Sequence, residues 1–135
     1  MQPDTPTNAP APKLRKVLCI EDEHFISELY TRALARAGYE VDVESDGQKG
    51  LAAAQTDRYD IILLDLMVPN LTGIEILRTL RSPYETPRLR ARIIITTNLE
   101  QREDIRADIE SRADGYLVKA AITPHQLVEF LSNLQ

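Results

Sequence analysis

Carboxylate, hydroxyl and amine side chains follow the short apolar runs of this sequence. In chain order they are Glu21 and Asp22, then Asp65, then Thr96 and Thr97, and finally Lys119. Clustered carboxylates repel one another unless a cation lies among them, and oxygen ligands of this kind suit Mg²⁺. A carboxylate can also attack a phosphoryl group, while a lysine and a hydroxyl can hold phosphoryl oxygens. Brought together, these residue types would form a site for Mg²⁺ and a phosphoryl group.

The elements that must position these groups alternate between short apolar runs and segments with helical spacing. The predicted strands are 17–20, 40–44, 61–64, 93–95 and 116–118, and the predicted helices are 24–37, 47–55, 73–80, 103–111 and 124–134. Such alternation predicts an α/β fold with a parallel sheet covered on both faces. The more polar second strand suits an edge. We therefore expect a flavodoxin-like, doubly wound, five-stranded sheet of order 2-1-3-4-5 with five helices.

The carboxyl ends of the strands are the expected place for a ligand, because parallel strands end at one edge of the sheet. Each polar group has an ordinary structural explanation when it is taken alone. Asp65 could cap a turn, and Lys119 could be a surface lysine. Glu21 and Asp22 could be an acidic pair that is stabilised by the dipole of the following helix at its amino terminus. Four strand ends that all supply matching groups favour a site. The residues alone do not separate a signalling switch from a hydrolase.

Composition narrows the class of protein. The 135 residues suit one domain, and the net charge of −5 shows no basic stripe for direct nucleic acid binding. The single cysteine, Cys19, cannot form an internal disulfide, and its apolar run predicts a small buried side chain. No apolar stretch reaches the roughly 20 residues of a membrane span, and no secretory h-region is present. We expect a cytoplasmic protein without membrane insertion.

The first residues differ in composition from the rest. Residues 1–12 contain four of the eight prolines and, after Met1, no large apolar side chain. Such a segment buries too little surface to offset its ordering entropy. We therefore predict a disordered Pro/Ala-rich tail over residues 1–15 and one domain over residues 16–135.

Four motifs in order resemble the receiver domains of bacterial response regulators, and most closely the chemotaxis-receiver-like, stand-alone type. They are Val17–Glu23, Asp65–Pro69 with Gly73, Thr97–Leu99, and Asp114–Lys119. The resemblance spans about Lys16 to Leu134. It implies a phosphoprotein of two-component phosphorelay signal transduction, which forms an aspartyl phosphate with magnesium. It implies a signalling domain, not an enzyme beyond its own phosphoryl transfer and slow autodephosphorylation.

The resemblance also implies a role for each matching residue. Asp65 is the phosphoacceptor, and Lys119 pairs first with Asp65 and then with the phosphoryl group. Mg²⁺ is bound by Asp22, Asp65 and the backbone carbonyl of Met67, with Glu21 acting through a metal-bound water. Tyr116 is the aromatic side chain that changes rotamer with the switch hydroxyl.

Two adjacent threonines compete for the position of the switch hydroxyl. Gapless spacing back from Lys119 favours Thr97. The usual preference for a small following residue favours Thr96, because Asn98 follows Thr97. We choose Thr97 and keep Thr96 as the alternative.

Three residues depart from the receiver pattern. Ala120 stands where many receivers have proline, so the loop after Lys119 and its readout face should differ. Met67 and Leu99 are apolar where many receivers have polar groups that help to place the attacking water. We therefore expect slow loss of the phosphoryl group.

The implied partners are a histidine kinase or phosphotransfer protein and a separate downstream output protein, since the chain ends soon after the last helix. A homodimer through the fourth and fifth helices is a further expectation, with Arg102, Arg106 and Arg112 as possible salt-bridge donors. A dehalogenase-like phosphatase is disfavoured, because Met67 stands where its second aspartate would be. A receiver that no longer accepts phosphate is disfavoured by the complete set of acids and Lys119. A nucleotide-binding Rossmann domain would need a glycine motif that this sequence lacks after its first strand.

Overall fold

A computed structural model of the chain describes residues 15–98 and 101–134. Within them, five strands alternate with five α-helices and one 3₁₀ turn. The strands are β1 (Lys16–Ile20), β2 (Glu40–Glu44), β3 (Ile61–Asp65), β4 (Arg92–Thr97) and β5 (Gly115–Val118). The helices are α1 (His24–Arg36), α2 (Gly47–Ala54), α3 (Gly73–Leu80), α4 (Glu103–Glu110) and α5 (Pro124–Ser132), and the 3₁₀ turn is Lys119–Ala121. Every predicted element is present, and no end shifts by more than two residues.

The five strands form one parallel sheet in the order β2-β1-β3-β4-β5, which confirms the predicted topology. The apolar strands β1, β3 and β4 lie in the middle, and the acidic β2 lies at an edge. The register pairs Ile20 with Leu64, and Asp65 with Thr96. The polar residues that follow these strands therefore share one edge of the sheet.

The core lies on both faces of the sheet, because successive strand residues point to opposite sides. Ile62, Ile93 and Ile95 belong to the cluster that packs beneath α2, α3 and α4. Ile94 belongs to the cluster beneath α1 and α5. Cys19 lies in that second cluster, 1% exposed, as predicted, and burial raises the pKa of its thiol to about 12.

Local signals at the helix ends explain why the elements start and stop where they do. Thr123 caps α5 by accepting a hydrogen bond from the backbone N–H of Gln126, and Pro124 occupies the first helical position. Gly38 follows α1 with a φ of 97°, a conformation that glycine adopts without steric cost. Both signals were predicted from the sequence.

Two predictions concern membrane insertion and the amino-terminal tail. No helix of the described residues has the length and apolar character that a membrane crossing requires. The predicted tail lies outside the described residues, except for Arg15, and stays a prediction.

Candidate functional site

Three carboxylates meet at the carboxyl ends of β1 and β3. One oxygen from each of Glu21, Asp22 and Asp65 lies within 4.8 Å of the others. Glu21 and Asp65 are each 2% exposed, whereas Asp22 is open to solvent. The neighbouring positions of β1 and β3 in the sheet bring these residues together, as predicted.

Lys119 supplies an ammonium group to this acidic cluster. Its Nζ lies 2.5 Å from Oε1 of Glu21 and 3.2 Å from Oδ2 of Asp65. Glu23 is farther away, with 3.9 Å between Nζ and its Oε1. We predicted the pairing of Lys119 with Asp65, whereas its shorter contact with Glu21 was not predicted.

Burial and charge alter the acid–base properties of this pair. Burial raises the pKa of Glu21 to about 7, although hydrogen bonds from Lys119 and the backbone N–H of Glu23 lower it. Burial by itself would lower the pKa of Lys119, but the hydrogen bond to Glu21 and the charge of Asp65 raise it above its ordinary value. Lys119 therefore remains a cation beside the buried carboxyl groups of Glu21 and Asp65.

The donor set fits a hard divalent cation. Glu21, Asp22 and Asp65 offer carboxylate oxygens, the ligands that Mg²⁺ prefers. A single ammonium does not balance three carboxylates, and the exposure of Asp22 leaves the site open to solvent. The backbone N–H of Met67 donates to Oδ1 of Asp65 at 3.1 Å. The metal-binding role of the Met67 carbonyl stays a prediction.

The loop after Asp65 is held by close backbone contacts. The N–H of Gly73 donates to the carbonyl of Leu66 at 3.0 Å, and a Cβ at Gly73 would come within 2.5 Å of the carbonyl oxygen of Asp65. The N–H of Gly47 donates to the carbonyl of Pro69 at 2.9 Å. Asn70 lies in the left-handed region, with φ of 72°. Glycine is therefore required at position 73, and the start of α2 supports the loop.

Thr96 and Thr97 are both buried, yet they lie on opposite faces of β4. Thr97 continues the face of Ile93 and Ile95, and its Oγ lies 3.5 Å from Nε2 of Gln101. Tyr116 packs against the same core cluster. Thr97 therefore shares a side of the sheet with Tyr116, whereas Thr96 faces the other way.

Tyr116 is half-buried on β5 and contacts two residues of the α4 region. Its hydroxyl oxygen accepts a hydrogen bond from the backbone N–H of Gln101 at 3.2 Å. The guanidinium of Arg106 lies over its ring, 4.6 Å from the centroid. Neither Gln101 nor Arg106 was predicted to belong to the site, because nothing in their spacing along the chain indicates these contacts.

The three arginines proposed for a dimer contact make ion pairs within the chain. Arg106 pairs with Glu110 at 3.2 Å, Arg102 with Asp104 at 2.9 Å and Arg112 with Asp108 at 3.5 Å. Arg106 lies within α4, whereas Arg102 is the N-cap of that helix and Arg112 follows its end.

A cleft of about 780 Å³ lies away from this site, at the amino-terminal edge of the sheet. Its acidic side chains are engaged by the fold. Asp60 accepts the backbone N–H groups of Arg15 and Lys16, and Asp114 accepts hydrogen bonds from Arg81 and the N–H of Ile93. These hydrogen bonds join the starts of the strands, so Asp60 and Asp114 have a structural role in the cleft.

Comparison with known proteins connects this geometry to a family. A family model described as the response regulator receiver domain matches residues 17–132, which include all the strand ends described above. This chain belongs to the response regulator receiver domain family. Receiver domains are signalling domains of two-component systems that act with histidine kinases and output partners and bind Mg²⁺ at an acidic pocket.

Curated relatives agree with this assignment of the receiver domain. Response regulator ArlR of Staphylococcus saprophyticus is 38% identical over 122 residues, which cover 90% of this chain and 51% of that protein. Transcriptional regulatory protein HprR of Escherichia coli is 38% identical over 120 residues, or 89% and 50% of the two chains. This receiver domain thus spans about half the length of the curated relatives that it matches.

Solved structures share the fold of this receiver domain. Chemotaxis protein CheY4 of Vibrio cholerae has a TM-score of 0.75 and 30% identity, covering 90% of this chain and 99% of that one. The receiver domain of sensor histidine kinase PA1611 from Pseudomonas aeruginosa has a TM-score of 0.73 and 26% identity. The match covers 87% of this chain and 93% of that one. That structure carries a magnesium ion in its active site cleft.

Proposed function

We propose that this receiver domain is a phosphorylation-dependent switch whose acceptor is Asp65. The observation that supports the proposal most strongly is the position of its carboxylate. Asp65 ends a buried strand, its Oδ1 accepts the N–H of Met67, and its Oδ2 lies 3.2 Å from Lys119. A carboxylate oriented in this way beside a cation suits nucleophilic attack on a phosphoryl group.

The phosphodonor is the phosphohistidine of a histidine kinase or phosphotransfer protein, or a small phosphodonor. An Asp65 oxygen forms a bond to phosphorus as the bond between phosphorus and the leaving histidine nitrogen breaks. The leaving imidazole keeps the electron pair of that bond and takes up a proton. Lys119 stays protonated throughout and holds phosphoryl oxygens as charge develops on them.

Asp22, Asp65 and the Met67 carbonyl would hold Mg²⁺, with Glu21 acting through a water molecule. When bound, Mg²⁺ neutralises charge on the transferred group. Asp22 is the exposed member of the set and offers its oxygen toward solvent. Glu21 is buried against Lys119, with its Oε1 2.5 Å from Nζ.

Phosphorylation changes the surface formed by α4, β5 and α5, through Thr97 and Tyr116. Thr97 moves toward the phosphoryl group, and Tyr116 follows into the space on the same side of the sheet. This is a population shift between two arrangements of one element. A separate output protein reads the changed surface, and a second copy of the chain is a further candidate partner at that surface.

The direct test is labelling by acetyl phosphate, followed by intact mass. The wild-type chain should gain one phosphoryl group only when Mg²⁺ is present, and Asp65→Asn should gain none. Asp104→Asn is the matched control, because Asp104 is an exposed carboxylate on α4. Labelling of Asp65→Asn equal to that of the control would refute Asp65 as the acceptor, and a wild-type chain that gains no phosphoryl group would favour a receiver that acts through contacts alone.

A phosphatase of the dehalogenase-like type makes a different prediction in the same experiment. Such an enzyme would release inorganic phosphate in many turnovers, because a second acid would speed hydrolysis of the acyl phosphate. The exposed Met67 side chain supplies no acid at the corresponding position. We therefore expect one stable modification per chain and little free phosphate.

A further inference from the structure

We infer that Gln101 and Arg106 are positioning residues that hold Thr97 and Tyr116 in the resting arrangement of the switch. The inference rests on the proposed function, since it assigns a role within the switch of Asp65. Gln101 contacts both Thr97 and Tyr116, and Arg106 contacts Tyr116. We expect their effect on phosphorylation to act through these two side chains.

Two contacts of different kinds hold Tyr116. The backbone N–H of Gln101 donates to its hydroxyl oxygen at 3.2 Å, which fixes the tip of the side chain. The guanidinium of Arg106 lies 4.6 Å from the ring centroid, which fixes the ring plane by a cation–π interaction. Any rotation of Tyr116 about its side-chain bonds must break at least one of these contacts.

Gln101 also contacts the other half of the switch. Its side-chain Nε2 lies 3.5 Å from Oγ of Thr97, at the outer limit of a hydrogen bond. Gln101, which precedes the N-cap of α4, thus contacts the hydroxyls of both Thr97 and Tyr116. We expect movement of Thr97 toward a group on Asp65 to break this 3.5 Å contact, because it is already at the outer limit of a hydrogen bond.

Arg106 is itself held in place. Its Nε lies 3.2 Å from Oε1 of Glu110, one turn along α4, and its side chain is 38% exposed. A guanidinium that is already ordered by an ion pair loses less conformational freedom on stacking against an aromatic ring than one that moves freely. The stack therefore favours the resting arrangement, and the fraction of molecules ready for a bound phosphoryl group is reduced accordingly.

Beryllofluoride is a mimic of the phosphoryl group that binds without a phosphoryl transfer step. Its affinity therefore reports the fraction of molecules that are ready for a bound phosphoryl group. Its affinity in saturating Mg²⁺ should rise in variants that lose a resting contact. We expect Arg106→Met to bind about threefold to tenfold more tightly than wild type. Gln101→Ala, which keeps the backbone N–H, should bind about twofold to fivefold more tightly. Arg106→Lys keeps a cation over the ring and should restore most of the wild-type affinity.

Three controls separate positioning from a general structural effect. Arg102→Met removes an exposed guanidinium from the N-cap of the same helix and should leave beryllofluoride affinity unchanged. Affinity for Mg²⁺ alone should be the same in wild type and Arg106→Met. In a Tyr116→Ala background, Arg106→Met should have no further effect, because the two residues act as a pair.

The outcomes also separate this inference from the proposed function. If wild type binds beryllofluoride and Arg106→Met binds equally or more weakly, the positioning role is wrong and the switch proposal stands. A shift that persists in the Tyr116→Ala background would also overturn it. If wild type neither binds beryllofluoride nor labels with acetyl phosphate, the proposed function itself fails.

Discussion

Lys119 lies closer to Glu21 than to Asp65: its Nζ is 2.5 Å from Oε1 of Glu21 and 3.2 Å from Oδ2 of Asp65. The ammonium is therefore the counter-ion of two buried carboxylates. Both carboxylates depend on it, because a buried charge without a partner is unfavourable. Lys119 thus stabilises the site in addition to any contact with a phosphoryl group.

Removal of the ammonium should destabilise the chain in the absence of Mg²⁺. We expect Lys119→Met to lower the free energy of unfolding by about 3 kcal/mol, since two buried carboxyl groups lose their shared cation. Urea denaturation in EDTA measures this change. Lys119→Arg, which keeps the charge, is the control and should lose less. Equal stability of Lys119→Met and wild type would contradict a counter-ion role.

Mg²⁺ should stabilise the folded chain through the acidic cluster. At a concentration one hundred times its dissociation constant, the gain should be about 2.7 kcal/mol, because only the folded state binds it. Asp22→Asn should lose most of this gain while folding normally, since Asp22 is exposed. Thermal unfolding with and without Mg²⁺ provides the measurement, and Asp104→Asn should respond like wild type.

The phosphorylated state should be long-lived because an apolar side chain stands beside the acceptor. Met67 is 74% exposed, and its thioether offers little to orient a water molecule. Met67→Asn should shorten the phosphorylated lifetime by about threefold or more, because an amide can position the attacking water. Decay of labelled protein followed by mass gives the lifetime, and Met67→Leu is the apolar control. The idea fails if the asparagine variant decays like wild type. Leu99, the second apolar position, lies outside the described residues.

The two threonines should respond differently to removal of their hydroxyls. Thr97→Ala should still bind beryllofluoride but should lose the accompanying change at Tyr116, because Thr97 shares its side of the sheet. Thr96→Ala should keep that change. Aromatic NMR signals of labelled tyrosine report the response, and the opposite pattern would assign the switch hydroxyl to Thr96.

Arg81 joins three segments at the amino-terminal edge of the sheet, away from the acidic cluster. We expect it to affect the stability of the fold and not phosphorylation. Its guanidinium donates to the carbonyls of Arg112 and Ala91 and to Asp114, at 2.9, 3.1 and 2.7 Å. Arg81→Met should lower the unfolding free energy by about 2 kcal/mol, since hydrogen bonds to the charged group are lost. Arg78→Met breaks an exposed pair and should lower it by less than about 1 kcal/mol. Equal losses in urea denaturation would contradict this ranking.

Local patterns in the sequence determined most of the fold. Apolar runs such as Ile61–Leu64, interrupted by amphipathic segments, specify strands and helices through their period and length. The order of the strands followed from burial, since the acidic β2 suits an edge. The approach of Glu21, Asp22 and Asp65 to one another followed from their positions at parallel strand ends. The topology of the strands is enough to predict this grouping.

Tertiary structure alone decided how the side chains meet. The spacing of Lys119 from Glu21 along the chain contains no sign that their contact is shorter than the one with Asp65. The choice between Thr96 and Thr97 depends on which face of a placed strand each one occupies. The stack of Arg106 on Tyr116 depends on how α4 packs against β5. Such contacts join residues distant in sequence, so they arise from packing geometry and not from local periodicity.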